Sequence, residues 1–168
     1  SGKELIIVRS TSPVGTTREF VLPILETETR KRGIEKSIEI VFAPERTAEG
    51  VALKELNELP QIVGGINEKC VIKAIDLFRK LTPTVIEVST LETAEMIKLI
   101  DNSFRDVKFA YANEISVLAE KLQIDAHECI NKANIHYQRN NIPLPSPGVG
   151  GPCLSKDSYL LVGSKNIL

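Results

Sequence analysis

The 168-residue sequence contains no apolar run of about 18 residues, the length that a membrane-spanning helix needs. Its first residues also lack the charged segment followed by an apolar core that is typical of a signal peptide. We therefore expect a cytoplasmic protein. No excess of charge is present either, because 21 Lys and Arg residues face 22 Asp and Glu residues. The formal net charge of −1 gives no electrostatic reason to expect nucleic acid or a membrane surface as a partner.

Cysteine is scarce and unpaired in pattern. Cys70, Cys129 and Cys153 are odd in number and widely spaced, which argues against a disulfide framework and against a CxxC metal site. His127 and His136 have no partner at metal-ligand spacing, so we expect no metal and leave both histidines unassigned. The sequence also lacks an initiator methionine and begins with "SGKELIIVRS", which enters a strand almost at once. We expect the chain to be a piece of a longer enzyme.

What is present first is an alternation of strand and helix patterns. The apolar segments "LIIV", "SIEIVFAPE", "QIVGGI" and "TVIEVS" predict four strands, and the uninterrupted first one is typical of a strand covered on both faces. Helices are predicted between them, over about 16–32 with Gly33 as its stop and over about 67–80. Strands that alternate with helices predict an α/β fold with a parallel sheet.

After Ser89 the pattern becomes helical. No proline or glycine interrupts residues 90–122, and Ser89 and Glu92 have capping-box spacing, so we predict one helix of about 50 Å at about 1.5 Å per residue. Eight apolar residues, here called the apolar stripe, share one face of it: Met96, Ile100, Phe104, Val107, Tyr111, Ile115, Leu118 and Leu122. A helix over about 125–134 is expected to cover part of the stripe, and the remainder is a candidate for pairing across a dimer. After the Pro/Gly-rich residues 142–152, a last helix is predicted over 154–162.

Two polar loops follow predicted strands, where ligands usually bind in parallel sheets. "STSPVG" leaves the first strand and "APERTAEG" leaves the second. The second loop carries Glu45, Arg46 and Glu49, whose two carboxylates face one way if the loop is helical. The alternative is a solvated loop without function.

The long helix carries Lys98, Asn102 and Arg105 at i, i+4 and i+7, almost opposite the apolar stripe. A lysine, an amide and an arginine on one face can hold a phosphate or stabilise an oxyanion. The alternative is the solvated face of an amphipathic helix.

Cys153 lies in "SPGVGGPCLSKD", after a glycine-rich bend and just before a predicted helix, with Lys156 nearby. The helix dipole and the lysine both favour a thiolate, and glycines allow a backbone to approach a ligand closely. Cys153 is therefore a candidate nucleophile, the alternative being a small buried thiol that packs a turn. Cys70 and Cys129 lack this setting and are expected to be structural.

Taken together, "STSPVGTT", "APERTAEG", "LPQIVGG", "ETAEMIKLIDNSFRDVKFAYANE" and "SPGVGGPCLSKD" resemble the nucleotide-sugar dehydrogenase family, in matching order over nearly the whole chain. The resemblance implies oxidation of the C6 alcohol of a UDP- or GDP-linked sugar to a carboxylate with two NAD⁺. It also implies that residues 1–88 are the later half of a Rossmann-like NAD-binding domain and that residues 89–168 are a central helical domain that carries the cysteine loop.

The resemblance assigns roles to individual residues. Cys153 matches the nucleophile that adds to the aldehyde intermediate, Lys98 and Asn102 match the pair that steadies the oxyanion, and Glu49 and Asp157 match residues linked to water activation and to the surroundings of the cysteine. Thr11 matches a residue near the nicotinamide. The nucleotide sugar is held in relatives by positions that correspond here to Arg46, Arg105, Tyr137, Arg139 and Gly150. Tyr137 departs from the pattern, since some relatives have histidine there.

The family's NAD site should also contain a strand followed by a GxGxxG turn, with an acidic residue about 20 positions later. This combined motif does not occur in the sequence. We therefore expect the 168-residue chain to be inactive, or nearly so, by itself. Within the family, UDP-glucose is one alternative for the sugar nucleotide. Outside it, a non-catalytic dimerisation module remains an alternative. A cysteine hydrolase is disfavoured because no histidine base is suitably placed.

Overall fold

The computed structural model describes residues 4–34, 37–48, 50–148 and 154–163. These residues divide into two compact units, one within Ser1–Leu99 and Leu160–Leu168 and the other within Ile100–Tyr159. The division by compactness does not test the predicted domain boundary after residue 88, which stays a prediction.

The first unit contains a four-stranded sheet in the order β1 (Leu5–Val8), β2 (Glu39–Phe42), β3 (Gln61–Gly65) and β4 (Val85–Val88). The α/β fold is confirmed, with all four predicted strands present. Strands β1 and β2 are parallel, and so are β3 and β4, but β2 and β3 are antiparallel. The sheet is therefore mixed, and the prediction of a parallel sheet was wrong for its central pair.

The antiparallel pair arises because the connection from β2 to β3 begins and ends at the same end of the sheet. Both ends of this connection meet at the carboxyl end of β2: the Gln61 side-chain amide donates to the carbonyl oxygen of Pro44 at 3.1 Å. The Arg46 guanidinium donates to the carbonyl oxygen of Pro60 at 3.4 Å. The chain enters β3 from the same end of the sheet at which it left β2, so β3 runs opposite to β2.

The predicted helices are present with small shifts at their ends, and one further helix, in the connection after β2, was not predicted. A π-helical turn (Thr17–Val21) leads into α1 (Leu22–Lys31), and the others are α2 (Ala52–Glu58), α3 (Glu68–Phe78), α4 (Leu91–Lys121), α5 (Ala126–Asn134) and α6 (Leu154–Val162). Gly33 has φ 66 and ends α1, as predicted. The first turn of α4 is capped by the Thr90 hydroxyl, which accepts from the Thr93 N–H at 3.0 Å, so the predicted cap at Ser89 was one residue early.

Both faces of the sheet are covered. On one face α3 packs Cys70, Ala74 and Phe78 against Val41 and Val63, so the structural role predicted for Cys70 is confirmed. On the other face, the first turn of α4 packs Leu91 and Ala94 against Phe42 and Ile62. The start of α4 is thereby fixed to the sheet, at the end where the two polar loops leave it.

The apolar stripe on α4 is largely uncovered. Phe104, Val107 and Leu122 are 64 to 67% exposed, and Leu118 is 52% exposed, whereas Ile115 is half-buried. That the following helix covers part of the stripe stays a prediction. Within the second unit, the buried apolar residues are Ala112 and Ala119 on α4, Ala126 and Ile130 on α5, and Leu154 on α6. Cys129 is exposed on α5, so its predicted structural role in packing was wrong. Among the described residues, no helix is both long and apolar enough to cross a bilayer.

Candidate functional site

The loop after β1, residues 9–16, is here called the β1 loop, and it contains the half-buried Thr11. Its bend is formed by Thr16, whose hydroxyl donates to the carbonyl oxygen of Pro13 at 2.7 Å, and by Gly15, whose φ of 95 favours glycine. The π-helical turn follows immediately, and such turns occur frequently at functional sites. The sequence therefore places Thr11 at the carboxyl end of β1 in a loop of defined shape.

Glu95 of α4 anchors this loop, and the side chain is 1% exposed. Its carboxylate accepts three hydrogen bonds: from the Gly15 N–H at 2.6 Å, from the Thr17 N–H at 2.8 Å and from the Thr17 hydroxyl at 2.6 Å. Sequence reasoning missed Glu95. The available signal was its position four residues from both Leu91 and Leu99, which puts a carboxylate on the buried face of α4.

A second contact joins the same two elements. The Arg18 guanidinium donates to the Glu92 carboxylate at 2.5 Å. This hydrogen bond, despite partial burial, holds the pKa of the Glu92 carboxyl below its usual range and raises the pKa of Arg18. Glu92 was predicted as part of a capping box, and it instead connects α4 to the π-helical turn.

The loop after β2, residues 43–48, is here called the β2 loop, and it is held by Glu45. The Glu45 carboxylate accepts from the N–H groups of Arg46 and Thr47 at 2.9 and 3.0 Å, and Arg9 donates to it at 2.6 Å. Burial acts to raise the pKa of Glu45, but the hydrogen bonds from Thr47 and the Arg9 charge outweigh it and keep that pKa low. Residues 43–48 contain no helix, so the condition under which the carboxylates of Glu45 and Glu49 would face one way is not met over the described part of this loop. Arg46 is half-buried in it.

Asn102 and Asp157 form a buried polar pair between α4 and α6. Asn102 is 4% exposed and Asp157 is fully buried. The Asn102 amide donates to Asp157 Oδ2 at 2.6 Å, and Lys156 Nζ lies 2.6 Å from Asp157 Oδ1. The solvated-face alternative therefore does not apply to Asn102. Two residues that were predicted separately as site residues are in direct contact.

A neighbouring contact holds the same two helices. The Ser158 hydroxyl donates to Asp106 Oδ2 at 2.7 Å. Together with the Asn102 pair it fixes the first turn of α6, directly after the predicted nucleophile in the sequence.

The other predicted residues lie as follows. Lys98 is half-buried on α4, whereas Arg105 is exposed. Tyr137 is 47% exposed after α5, with the Arg139 guanidinium 5.9 Å from the centre of its ring. Cys153, Glu49 and Gly150 lie outside the described residues, so their predicted roles stay predictions.

Comparison with solved structures places the fold among α/β dehydrogenases. The UDP-D-ManNAc dehydrogenase structure from Pyrococcus horikoshii superposes on this chain with a TM-score of 0.87 at 40% identity. The match covers 96% of this chain and 38% of the Pyrococcus horikoshii chain. Two family models match in order, the NAD binding domain of the UDP-glucose/GDP-mannose dehydrogenase family over residues 1–82 and its central domain over residues 92–166. The chain belongs to the UDP-glucose/GDP-mannose dehydrogenase family.

Sequence relatives carry related names. The UDP-N-acetyl-D-mannosamine dehydrogenase of Campylobacter jejuni is 40% identical over an alignment of 163 residues, and the match covers 94% of this chain and 40% of that protein. The NDP-N-acetyl-D-galactosaminuronic acid dehydrogenase of Ralstonia solanacearum is 37% identical over an alignment of 164 residues, and the match covers 95% of this chain and 38% of that protein. The chain thus spans about 40% of the length of these relatives. The predicted family and its NAD cofactor are confirmed.

Proposed function

We propose that the complete gene product oxidises the C6 alcohol of a UDP-sugar to a carboxylate, with two NAD⁺ reduced per sugar. The observation that supports this most is the match of both family domains, in order, to residues 1–82 and 92–166. The predicted division into a Rossmann-like part, residues 1–88, and a central helical part, residues 89–168, belongs to the same proposal.

The described residues fit the nicotinamide end of NAD better than its phosphates. A helix N-terminus after a strand is the usual phosphate site of a dinucleotide fold. After β1, the N–H groups of Gly15 and Thr17 at that position already bind the Glu95 carboxylate. Thr11, in the same loop, is the residue proposed to face the nicotinamide. When bound, NAD⁺ supplies the hydride acceptor for both oxidations.

In the proposed mechanism, the Cys153 thiolate adds to the carbonyl carbon of the aldehyde formed in the first oxidation. The resulting thiohemiacetal loses a hydride and a proton to become a thioester. Water then attacks the thioester carbon, the C–S bond breaks, and the carboxylate leaves while the thiolate is restored. The covalent bond keeps the reactive aldehyde from escaping between the two oxidations.

The other residues stabilise charge and hold the substrate. Lys98 and the Asn102 amide are proposed to stabilise the oxyanion of the two tetrahedral adducts, with Lys98 also exchanging a proton. Because the Asn102 amide is held by the buried Asp157, its orientation is fixed before substrate binds. Glu49 is proposed to act with Asp157 in activating water. The nucleotide sugar is proposed to contact five further residues: Arg46, Arg105, Tyr137, Arg139 and Gly150.

UDP-N-acetyl-D-mannosamine is the proposed sugar nucleotide. The forms "PERTAEG" and "SPGVGGPC", the latter preceded by Arg139, resemble the dehydrogenases of that sugar, and relatives with that name are 40% identical. UDP-glucose is the alternative within the family. Initial rates of NADH formation with each of the two UDP-sugars decide between them, and the larger kcat/KM is expected for UDP-N-acetyl-D-mannosamine.

The cysteine is tested by Cys153→Ser in the complete gene product. We expect NADH formation to fall by at least 1000-fold, on the order expected when a covalent nucleophile is removed. Cys129→Ser is the matched control, because Cys129 is an exposed cysteine outside the proposed site. Unchanged turnover by the Cys153 variant would instead favour the non-catalytic dimerisation module. The 168-residue chain alone is expected to give little or no NADH.

A homodimer through α4 is the second part of the proposal. The apolar stripe leaves Phe104, Val107 and Tyr111 between 53 and 65% exposed, and exposed apolar surface of this extent marks an interaction site. Sedimentation should give twice the chain mass at micromolar concentration, and Val107→Glu should give the single mass. A single mass for the unsubstituted protein would contradict the dimer. The cytoplasmic location stays a prediction.

A further inference from the structure

The Glu95 carboxylate has no role in the family resemblance or in the mechanism above, yet it is one of the most buried charged groups in the described chain. Its side chain is 1% exposed, and three donors surround it. An ionised carboxylate taken out of water is costly unless it is fully hydrogen-bonded. The three bonds, each between 2.6 and 2.8 Å, therefore favour one arrangement of Glu95 and its donors strongly.

Two of these donors are backbone N–H groups at the start of the helical segment that follows β1. The N-terminus of a helix carries partial positive charge and unpaired N–H groups, which makes it an anion site. Here the anion is a side chain of the protein itself. The end of the β1 loop therefore has its conformation set by a residue 78 positions further along the chain.

The carboxylate also connects two proposed functional residues. Thr11 lies in the β1 loop, and Lys98 lies three residues after Glu95, on the same face of α4. Both belong to the first compact unit. The Ser12 hydroxyl, buried in the same loop, has no hydrogen-bond partner among the described residues, so it does not contribute to fixing the loop.

We propose that Glu95 is a positioning residue. Its carboxylate occupies the anion site at the start of the helical segment and keeps the β1 loop, with Thr11, in a fixed position relative to the turn of α4 that carries Lys98. The three hydrogen bonds that Glu95 accepts from Gly15 and Thr17 are here called the clamp. The inference rests on the proposed function for the roles of Thr11 and Lys98. Loss of the clamp should therefore impair productive binding of NAD⁺ more than binding of the sugar nucleotide.

The mildest test removes one of the three bonds. Thr17→Val in the complete gene product deletes the hydroxyl and keeps the size of this fully buried side chain. We expect kcat/KM for NAD⁺ to fall about 10-fold, since a hydrogen bond to a charged group is lost, while KM for the UDP-sugar stays within about 2-fold. Thr17→Ser retains the hydroxyl and should recover most of the loss. Thr27→Val is the control, because Thr27 is an exposed threonine on α1 with a similar hydroxyl bond to a backbone oxygen.

A second test replaces the anion. Glu95→Ala should lower kcat/KM for NAD⁺ at least 100-fold, and sodium formate at about 0.2 M should restore it at least 10-fold, whereas sodium chloride at the same ionic strength should not. Formate is small enough to replace the carboxylate and to accept from the same donors. If Glu95→Ala does not fold, the Thr17 series decides the question.

Two results would overturn the inference. One is a Thr17→Val enzyme whose melting temperature falls while kcat/KM for NAD⁺ equals that of Thr27→Val, because the clamp would then be structural only. The other is unchanged hydrogen exchange of the Gly15 and Thr17 amides in Thr17→Val, where we expect faster exchange. Hydrogen exchange is measured without catalytic turnover. If the unsubstituted protein forms no NADH with either UDP-sugar, the proposed function is refuted, and the exchange measurement still decides whether the clamp exists.

Discussion

Asn102→Asp places two carboxylates where the structure has an amide and a carboxylate. The Asn102 amide nitrogen lies 2.6 Å from Asp157 Oδ2, and both side chains are buried. Two unit charges about 4 Å apart repel by about 4 kcal/mol at an effective dielectric constant of 20. At about 1.36 kcal/mol per pH unit, the introduced carboxyl should hold its proton about 3 units above its usual pKa.

The cost of this substitution should therefore depend on pH. The introduced carboxyl binds its proton more tightly in the folded state than in the unfolded state, so stability falls as pH rises through the normal carboxyl range. Near pH 5 the protonated carboxyl donates to Asp157 as the amide does, but the unfolded state has already released this proton, so we expect a loss of about 1.5 kcal/mol. Near pH 8 the loss of stability should approach about 4 kcal/mol. The folded protein must then either hold two ionised carboxylates side by side or keep a proton that the unfolded protein has released.

Urea denaturation followed by circular dichroism at several pH values measures this loss. Asn102→Ala should cost about 1.5 to 3 kcal/mol without the same pH dependence, because it leaves Asp157 Oδ2 without its donor but adds no charge. Asn57→Asp, on the exposed face of α2, is the matched control and should change stability by less than about 0.5 kcal/mol. An Asn102→Asp protein whose stability relative to the parent is the same at pH 5 and pH 8 would refute the buried contact with Asp157.

Two further predictions concern the sheet. Gly64→Ala should destabilise the protein by about 1 to 3 kcal/mol in urea denaturation, because a Cβ there would lie 2.2 Å from the carbonyl oxygen of Thr90 and a backbone atom must move. Gly148→Ala, which meets nothing within 4 Å, should be nearly neutral, and equal losses in the two variants would contradict the close approach. Hydrogen bonds and charge from two lysines of α3 lower the pKa of Glu39 to about 2, so its stabilising effect is complete above its usual pKa and is lost as pH falls toward 2. Glu39→Gln should therefore lower the urea midpoint near pH 6 and have progressively less effect below pH 4, and a difference that persists at pH 2 would contradict the ion pairs.

Local patterns predicted the elements well because each pattern has a local cause. "LIIV" is uniformly apolar since its strand lies in a sheet covered on both faces. The bounds of α4 could be predicted to within a residue or two because a hydroxyl residue precedes it and no proline or glycine interrupts it, although the cap is Thr90 and not the predicted Ser89. The direction of β3 was not predictable in this way. It depends on where the two ends of a connection meet, as the Gln61 contact with Pro44 shows, and no local periodicity records that.

The site divides along the same line. Asn102 and Asp157 were each predicted from motifs, but their contact joins residues 55 positions apart and had no signal in either motif. Glu95 was missed because a glutamate in an amphipathic helix is ordinarily solvated. Its burial is explained by the two N–H groups and the Thr17 hydroxyl, which precede it by about 80 positions.

The side chains of α4 are distributed unusually for a helix in water, since its buried face carries Ala112 and Ala119 while Phe104 and Val107 are exposed. Any molecule that covers these larger side chains recovers about 25 cal/mol for each Å² of apolar area removed from solvent. By mass action, the thermal resistance of the chain should then rise with the logarithm of that molecule's concentration. Diluting the covering molecule and heating the protein should therefore both destabilise this helix.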